Sequence, residues 1–419
     1  MRANRPLLAR IPWTAVAISV AVLLSSGAAT DPVRDAVTGT QVQEGFLVRS
    51  PAYVAVAPVS DVLDALTLMS KAQHIALLLG VILVFVVWRV VLAWWRRPTP
   101  RQHIVASVTL LGAVVLTYVA VALLPRPMAS LAANDVNIVR VDFHSHTNAS
   151  HDGRPGWSAE SNRGWHRDGG YDVAYVTDHG TVAAAERGVA VNPNPAGEGT
   201  VLLQGIEVTW AGEHVDILGA ERMYKGLLTP NNRDVDEQAL RLASLIPGRE
   251  PVVIWNHPRV ITRLTPASGS GTPGPRAIEV TNGAPDSMDG VRRAHDAIVS
   301  LARQKHLTFV SGSDSHGWGR TAPNWTLLFV ADWRGLAPDA LATRIETVIR
   351  EGGPEATRVV ERDAPRALTP AALAATIVAV PLSMLRDMSN EERVSWLAWT
   401  WAIALGWGWV QRRRRGVPT

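Results

Sequence analysis

Hydrophobic positions follow two different patterns along this 419-residue chain. Toward both ends they form long, nearly unbroken runs, whereas between about 135 and 360 they come in short runs separated by polar, helix-like stretches. Runs 74–95 and 104–124 each reach the ~20 apolar residues needed to cross a bilayer, with Trp94 and Trp95 suited to its interface. Run 12–29 follows a basic N-terminus and ends in Gly27, Ala28 and Ala29, so it reads as an anchor or a cleaved signal peptide, the anchor being preferred. Run 394–410 predicts a further span. Segment 371–385 is short, Ala-rich and broken by Pro381, and fits a span, an interfacial helix or a packed helix. Stretch 53–68 reads as an amphipathic cover. Three regions result: an N-terminal membrane region 1–130, a domain 131–362, and a C-terminal membrane region 363–419.

In the middle region the pattern predicts strands at 138–143, 173–177, 201–206, 252–255, 277–281, 308–311 and 326–330, and helices at 182–188, 235–246, 287–306 and 338–351. That alternation indicates an α/β domain, with SGSGTPGP (268–275) as a loop.

Composition narrows the chemistry. There is no cysteine, which excludes disulfides, thiolate zinc ligands and thiol nucleophiles and leaves His, Asp and Glu to bind any metal. The sequence pI near 9.7 comes largely from arginines beside the apolar runs: Arg2, Arg5 and Arg10, then Arg96 and Arg97, then Arg412 to Arg415. This is the placement of orientation signals rather than of a nucleic-acid stripe. The positive-inside rule puts the N-terminus, loop 96–103 and the C-terminal arginines in the cytoplasm. Residue 125 onward then lies outside the cytoplasmic membrane, facing the periplasm or exterior, as does loop 30–73.

Nearly every predicted strand ends in ionisable residues. His144 and His146 follow the first in VDFHSHTNASHDGR, Asp178 and His179 the second in VTDHG, and Glu207 the third in GIEVT; His257 lies in WNHP, Glu279 in the fifth strand, and Asp314 and His316 in GSDSHG. A barrel-like fold gathers such ends on one rim, so these positions are not independent. Histidines at i and i+2 at a strand end can reach one cation, and imidazoles with carboxylates suit zinc, manganese or iron. Two or more such ions can activate a water and stabilise the attacking and leaving oxygens at phosphorus.

Taken in order, HSHTNASHD, VTDHG, GIEVT, GEHVDILG, WNHP, AIEVTNG and GSDSH resemble the PHP (polymerase and histidinol phosphatase) family over about residues 138–320. The resemblance implies a distorted seven-stranded β/α barrel, here flanked by transmembrane helices, holding two or three divalent ions and hydrolysing phosphomonoesters or phosphodiesters. It implies as metal ligands His144, His146, Asp152, His179, Glu207, His214, His257, Asp314 and His316. His151 is set aside in favour of Asp152 by the family's spacing, and Asp178 and Glu279 would orient ligands. The attacking group would be a water activated by the metals, with no side-chain acid identified. Arg259, beside the HP motif, and Arg154 are candidate phosphate contacts, while Arg320 reads as a rim charge. His295 and His306 are expected to face solvent from a helix, and Trp396, Trp399, Trp401, Trp407 and Trp409 to serve membrane interfaces and span packing.

No HExxH helix, GxSxG elbow or GxxxxGK loop competes with this reading. The function expected is a membrane-anchored phosphoesterase acting on a small phosphate ester, a lipid head group or an envelope phosphodiester, without nucleic-acid binding. A metal-dependent hydrolase of carboxylic or carbamic esters or amides, and a non-catalytic ligand sensor, are the alternatives.

Overall fold

The computed structural model describes residues 12–219, 234–244, 250–258 and 274–414. Helix α1 (Trp13–Ser25) is followed by strands β1 (Val33–Asp35) and β2 (Gly45–Arg49) and helices α2 (Pro51–Ala55), α3 (Ala57–Thr67), α4 (Lys71–Arg96) and α5 (Pro100–Leu123). Next come β3 (Ala129–Ala133), β4 (Ile138–Ser145), α6 (Ala159–Gly169), β5 (Val173–Val176), α7 (Ala183–Val189), β6 (Val201–Trp210) and β7 (Glu213–Leu218). The chain continues through α8 (Glu237–Ser244), β8 (Val252–Trp255), β9 (Ala277–Asn282), α9 (Pro285–Lys305), β10 (Thr308–Gly312), β11 (Asn324–Phe329) and α10 (Pro338–Glu351). It ends with β12 (Thr357–Arg362), α11 (Pro370–Ala374), α12 (Thr376–Asp387) and α13 (Asn390–Arg414).

Among the described residues, ten strands form one sheet in the order β1-β12-β11-β4-β5-β6-β7-β8-β9-β10. β4, β5 and β6 run parallel, as do β8, β9 and β10; β7 is antiparallel to both its neighbours, and β11 to β4 and β12. The sheet curls until β10 meets the β4–β11 region without completing a ladder. Ser311 N donates to Thr326 Oγ1 at 2.8 Å, Asn324 Nδ2 to Gly312 O at 3.0 Å, and Asp314 N to His144 O at 2.8 Å. The result is a curled, incomplete sheet resembling a distorted barrel.

All seven expected strands form, but the sheet has ten. β7 was missed because His214 and Asp216 interrupt its apolar pattern, β12 because TRVVER has only two consecutive apolar residues, and β1 because three residues carry no periodicity. β1 pairs with β12, so a piece of the N-terminal region completes the sheet edge, and β2 pairs with β3 as a separate hairpin-like cover.

Two-residue periodicity sorts the strands. In β4, Val139, Val141 and Phe143 enter a buried cluster with Tyr175, Leu203, Ile254, Val310 and Leu328, closed by Leu341, Ile345 and Ile349 of α10. Asp142 and His144 occupy the opposite positions and are also fully buried. A second cluster packs Ile206, Ile217, Trp255 and Val280 against Val291 and Ile298 of α9. β8 contributes to both cores, as expected of a strand buried on its two faces.

Stretch 53–68 forms α2 and α3 and does cover the domain, but through charge as well as apolar contacts. Asp64 receives Arg126 Nη2 at 2.5 Å, Arg362 Nη1 at 3.0 Å and Thr321 Oγ1 at 2.8 Å, and the Tyr53 hydroxyl lies 3.0 Å away.

Among the described residues, α4 and α5 are long and apolar enough to cross a membrane. At 26 residues, α4 is ~39 Å long. Leu79, Leu83, Leu111 and Leu116 are among the many exposed apolar side chains on the two helices. Ala72 N donates to Asp289 Oδ2 and Gly319 N to Ala122 O, both at 2.9 Å, so α4 starts and α5 ends against the α/β domain. The turn after Arg96 lies at the far end. Antiparallel to each other, α1 and α13 are joined through Arg393 to Val22 O at 3.1 Å and Trp401 Nε1 to Ser19 Oγ at 3.1 Å. α1 is shorter than a span, and in α13 two of the indoles assigned to membrane interfaces and span packing bond within the protein: Trp396 to Asp61 and Trp399 to Ala55 O, each at 2.8 Å. Segment 371–385 becomes α11 and α12, with Ile377 packed beside Gly80 of α4.

Candidate metal centre

At the ends of the parallel strands, side chains from seven places in the sequence converge. Glu207, on β6, is the hub. Its Oε2 lies 3.3 Å from both His144 Nε2 and His146 Nε2 and 3.2 Å from His179 Nδ1. Its Oε1 lies 2.6 Å from His214 Nδ1 and 3.8 Å from His257 Nε2. Asp314 Oδ1 stands 3.4 Å from His146 Nε2, 3.6 Å from His144 Nε2 and 3.5 Å from His316 Nδ1. Asp152 Oδ2 closes the outer edge, 3.2 Å from His316 Nε2 and 3.5 Å from His179 Nε2.

Local backbone geometry aims these groups. Register pairs Glu207 with Asp216 across β6 and β7, and alternation places His214 on the same face as Asp216. His257 and Asp314, just after β8 and β10, have φ of 25° and 50°. Non-glycine residues held there cost ~1–3 kcal/mol each, so the surroundings must over-determine these conformations. A Cβ on Gly312 would collide with Glu279 Oε1 and His144 Cβ, so glycine is required where β10 passes the cluster.

The orienting groups are equally specific. Glu279 Oε1 lies 2.9 Å from His144 Nδ1, while its Oε2 accepts His257 N at 2.7 Å and Asn282 Nδ2 at 3.0 Å. Asp178 accepts Thr147 N at 2.6 Å and Thr147 Oγ1 at 2.7 Å, fixing the turn after His146. Because Glu279 sets the ring that presents His144 Nε2, Glu279→Ala should weaken metal affinity by roughly 10- to 100-fold. Titration against a chromophoric chelator measures this, and an unchanged affinity would remove Glu279 from that role.

Among the described residues, four sets of three donors lie within 4.8 Å of one another: His146, His179 and His316; His144, His146 and Glu207; His179, Glu207 and His214; and His151, Asp152 and His179. Bonds of ~2.1 Å at tetrahedral angles put ligand atoms ~3.4 Å apart, and the nitrogen–oxygen separations around Glu207 and Asp314 run from 2.6 to 3.8 Å. His257 Nδ1 is buried with no hydrogen-bond partner among the described residues, although Nε2 faces Glu207. Burial lowers the His146 pKa to about 4, which keeps a neutral imidazole available to a cation. Against the cost of burial, Asp216, Asp314, Glu207 and Glu279 hold His144 well above the usual imidazole range. Glu207 stays well below the carboxylate range despite burial because His144 faces it and His214 and His257 hydrogen-bond to it. The carboxylates that draw positive charge to His144 would equally favour a metal cation in place of its proton, and a set of imidazole nitrogens and carboxylate oxygens fits divalent ions of the zinc, manganese or iron class.

All nine residues expected as ligands lie in or beside this cluster. His151, set aside in the sequence, is 78% exposed, yet its ring centroid is 5.0 Å from that of His179. Arg154 donates to Gly317 O at 3.2 Å and lies 5.8 Å from the Trp318 ring centroid. Arg259 falls outside the described residues. Arg320 ties Asp168 at 2.6 Å and Arg126 O at 3.2 Å and is structural, not a free rim charge. His306 is exposed as expected, whereas His295 is half-buried with Nε2 2.8 Å from Ala36 O.

Sequence reasoning missed Asp216, fully buried 4.0 Å from His144 Nδ1, whose carboxyl burial pushes well above its usual range. It also missed the Asp142–His166 pair at 2.7 Å, where Asp142 Oδ1 additionally accepts Ser313 N at 2.8 Å. The alternation of HVD could have placed Asp216 beside His214; nothing local marks His166, which α6 delivers.

No family model matches the chain, and no curated protein matches its sequence. Among solved structures, the lesion-specific endonuclease PfuEndoQ of Pyrococcus furiosus is 12% identical, with a TM-score of 0.37 over 53% of this chain and 57% of its own. This chain thus spans little more than half of that protein's length. PsfC of Pseudomonas syringae is 17% identical, with a TM-score of 0.36 over 60% of this chain and 100% of its own. A two-domain protein of Bacteroides vulgatus containing a predicted PHP-like metal-dependent phosphoesterase is 19% identical, with a TM-score of 0.33 over 54% and 65%. Likenesses at this level bear on no question of activity.

Proposed function

We propose that this chain is a metal-dependent phosphoesterase held at a membrane by α4 and α5, its sheet a variant of the distorted (β/α)7 barrel of PHP enzymes. One observation carries the reading: five imidazoles, from His144, His146, His179, His214 and His257, each bring a ring nitrogen within 3.8 Å of the single carboxylate of Glu207. A structural role does not call for so many imidazoles around one buried carboxylate, whereas bound cations do.

His144, His146, Asp152, His179, Glu207, His214, His257, Asp314 and His316 would hold two or three ions. Bound there, divalent metals supply Lewis acidity to a water and to phosphoryl oxygens. Glu207 and Asp314 offset the cationic charge, and Glu279 and Asp178 keep the imidazoles in register. Arg154, whose guanidinium donates to Gly317 O next to His316, would meet the charge of an incoming phosphate. The α/β domain would face the periplasm or exterior, since the arginine-rich ends of α4 and α5 lie away from it.

The test is metal content and turnover measured together. Purified protein should carry at least two zinc, manganese or iron ions per chain and hydrolyse bis(p-nitrophenyl) phosphate or p-nitrophenyl phosphate; chelation should abolish turnover and metal addition restore it. Turnover that resists chelation, or cleavage of carboxyl esters alone, would overturn the reading.

A further inference from the structure

The helices that could cross a membrane do more than hold the domain in place. A cleft of about 560 Å³ runs from the metal cluster to these helices. Asp152, Asp314 and His316 line one end; His74 of α4 and Tyr118, Val121 and Ala122 of α5 line the other. That volume suits a ligand larger than inorganic phosphate. His74 Nδ1 and the Tyr118 hydroxyl bond to each other at 2.9 Å, so their polar atoms satisfy one another within the helical wall. Their chain neighbours Ile75 and Val119 are exposed apolar side chains.

This wall is tied to the loop after β10 that carries Asp314 and His316. Gly319, three residues after His316, donates to Ala122 O at 2.9 Å, and Trp318, also lining the cleft, remains 49% exposed. Thr321 and Arg126 meet on Asp64 at 2.8 and 2.5 Å, locking the exit of α5 to the same loop. A helix serving only as a tether needs no part in the lining of a substrate cleft. Here the ends of two apolar helices form that lining and continue as exposed apolar surface.

Building on the phosphoesterase reading, we propose that the substrate is a membrane lipid carrying a phosphoester. Its phosphate lies at the Asp314–His316 end and its hydrocarbon leaves past Tyr118 and Val121 into the bilayer. In the reaction water adds across the ester P–O bond: its oxygen joins phosphorus, the P–O bond to the lipid or head-group alcohol breaks, one proton goes to the departing oxygen and the other stays on the new phosphate oxygen or is released to solvent. A water-soluble ester would use the metals but not the helical wall.

The experiment uses full-length protein in nanodiscs with zinc or manganese. Two substrates are offered: bilayer phosphatidic acid mixed with phosphatidylglycerol, and soluble p-nitrophenyl phosphate mixed with bis(p-nitrophenyl) phosphate. The lipids should be the better substrates, and Val121→Trp, which fills the helical wall, should lower the ratio of lipid to soluble turnover at least tenfold. Val105→Trp, on the same helix but away from the cleft, should leave both rates within twofold. Independently of turnover, phosphatidic acid with a diazirine in its acyl chain should crosslink to the residue 74 or 118–122 region. Soluble esters cleaved without lipid cleavage, an unchanged ratio in Val121→Trp, or crosslinks confined elsewhere would overturn the lipid assignment and leave the phosphoesterase intact. No cleavage of any phosphoester would remove both.

Discussion

Glu207→Gln should reduce phosphoester turnover on the order of 10³-fold and lower bound metal by at least one ion per chain. The substitution keeps shape and volume but removes the negative charge that five imidazoles share at 2.6–3.8 Å. Lewis-acid stabilisation is worth several kcal/mol, and ~4 kcal/mol corresponds to about three powers of ten in rate. The loss should appear both in kcat and in the metal-to-protein ratio by elemental analysis. Near-normal activity with full metal content would show that the carboxylate only packs against the histidines. Because the side chain is fully buried, circular dichroism and the melting temperature of the same sample establish that the variant folds.

The second large effect concerns stability. Asp64→Ala leaves Arg126 and Arg362, both buried, without their shared counter-ion. Breaking a buried ion pair from one side costs ~3–5 kcal/mol, because the remaining charge is uncompensated. A thermal melt of the detergent-solubilised chain should fall by many degrees, and replacing Arg362 by Leu in the same background should recover part of the loss. A change below ~1 kcal/mol would place the cluster among surface-like pairs. The pH dependence has a definite sign. Although burial opposes ionisation, Arg126 and Arg362 hold the Asp64 carboxyl below its usual range. Its stabilising contribution is therefore complete above the ordinary aspartate value of ~3.9 and is lost as pH falls through the depressed folded value.

Much of the candidate metal centre was legible because its residues sit where strands end, and strand ends can be read from short apolar runs. VTDHG, GIEVT and GSDSH each announce both a strand and its terminal donors. His214 needed more. It starts a strand, and only the antiparallel pairing of β7 with β6 brings its Nδ1 to 2.6 Å from Glu207. Asp216 lies two residues further on the same face and escaped notice because an isolated aspartate among apolar residues has no motif. Helix α6 went unpredicted for a related reason: AESNRGWHRDG is too polar to show a broad apolar face, yet Trp165 and His166 are buried beneath it.

Composition and periodicity alone determined that two apolar helices of bilayer length precede an α/β domain, that any metal must be bound by nitrogen and oxygen donors, and which strand ends carry those donors. These are local properties, fixed by side-chain chemistry and by periods of 2 and 3.6 residues. Tertiary structure alone decided that β1, β7 and β12 complete a ten-stranded sheet that curls without closing. It also decided that Asp64 binds the N-terminal cover to two distant arginines, and that His74 and Tyr118 share a cleft with His316. Apart from the local β6–β7 pairing, each of these depends on contacts between residues tens to hundreds of positions apart, and no local period records which distant partner completes a strand edge, a buried charge or the wall of a cleft.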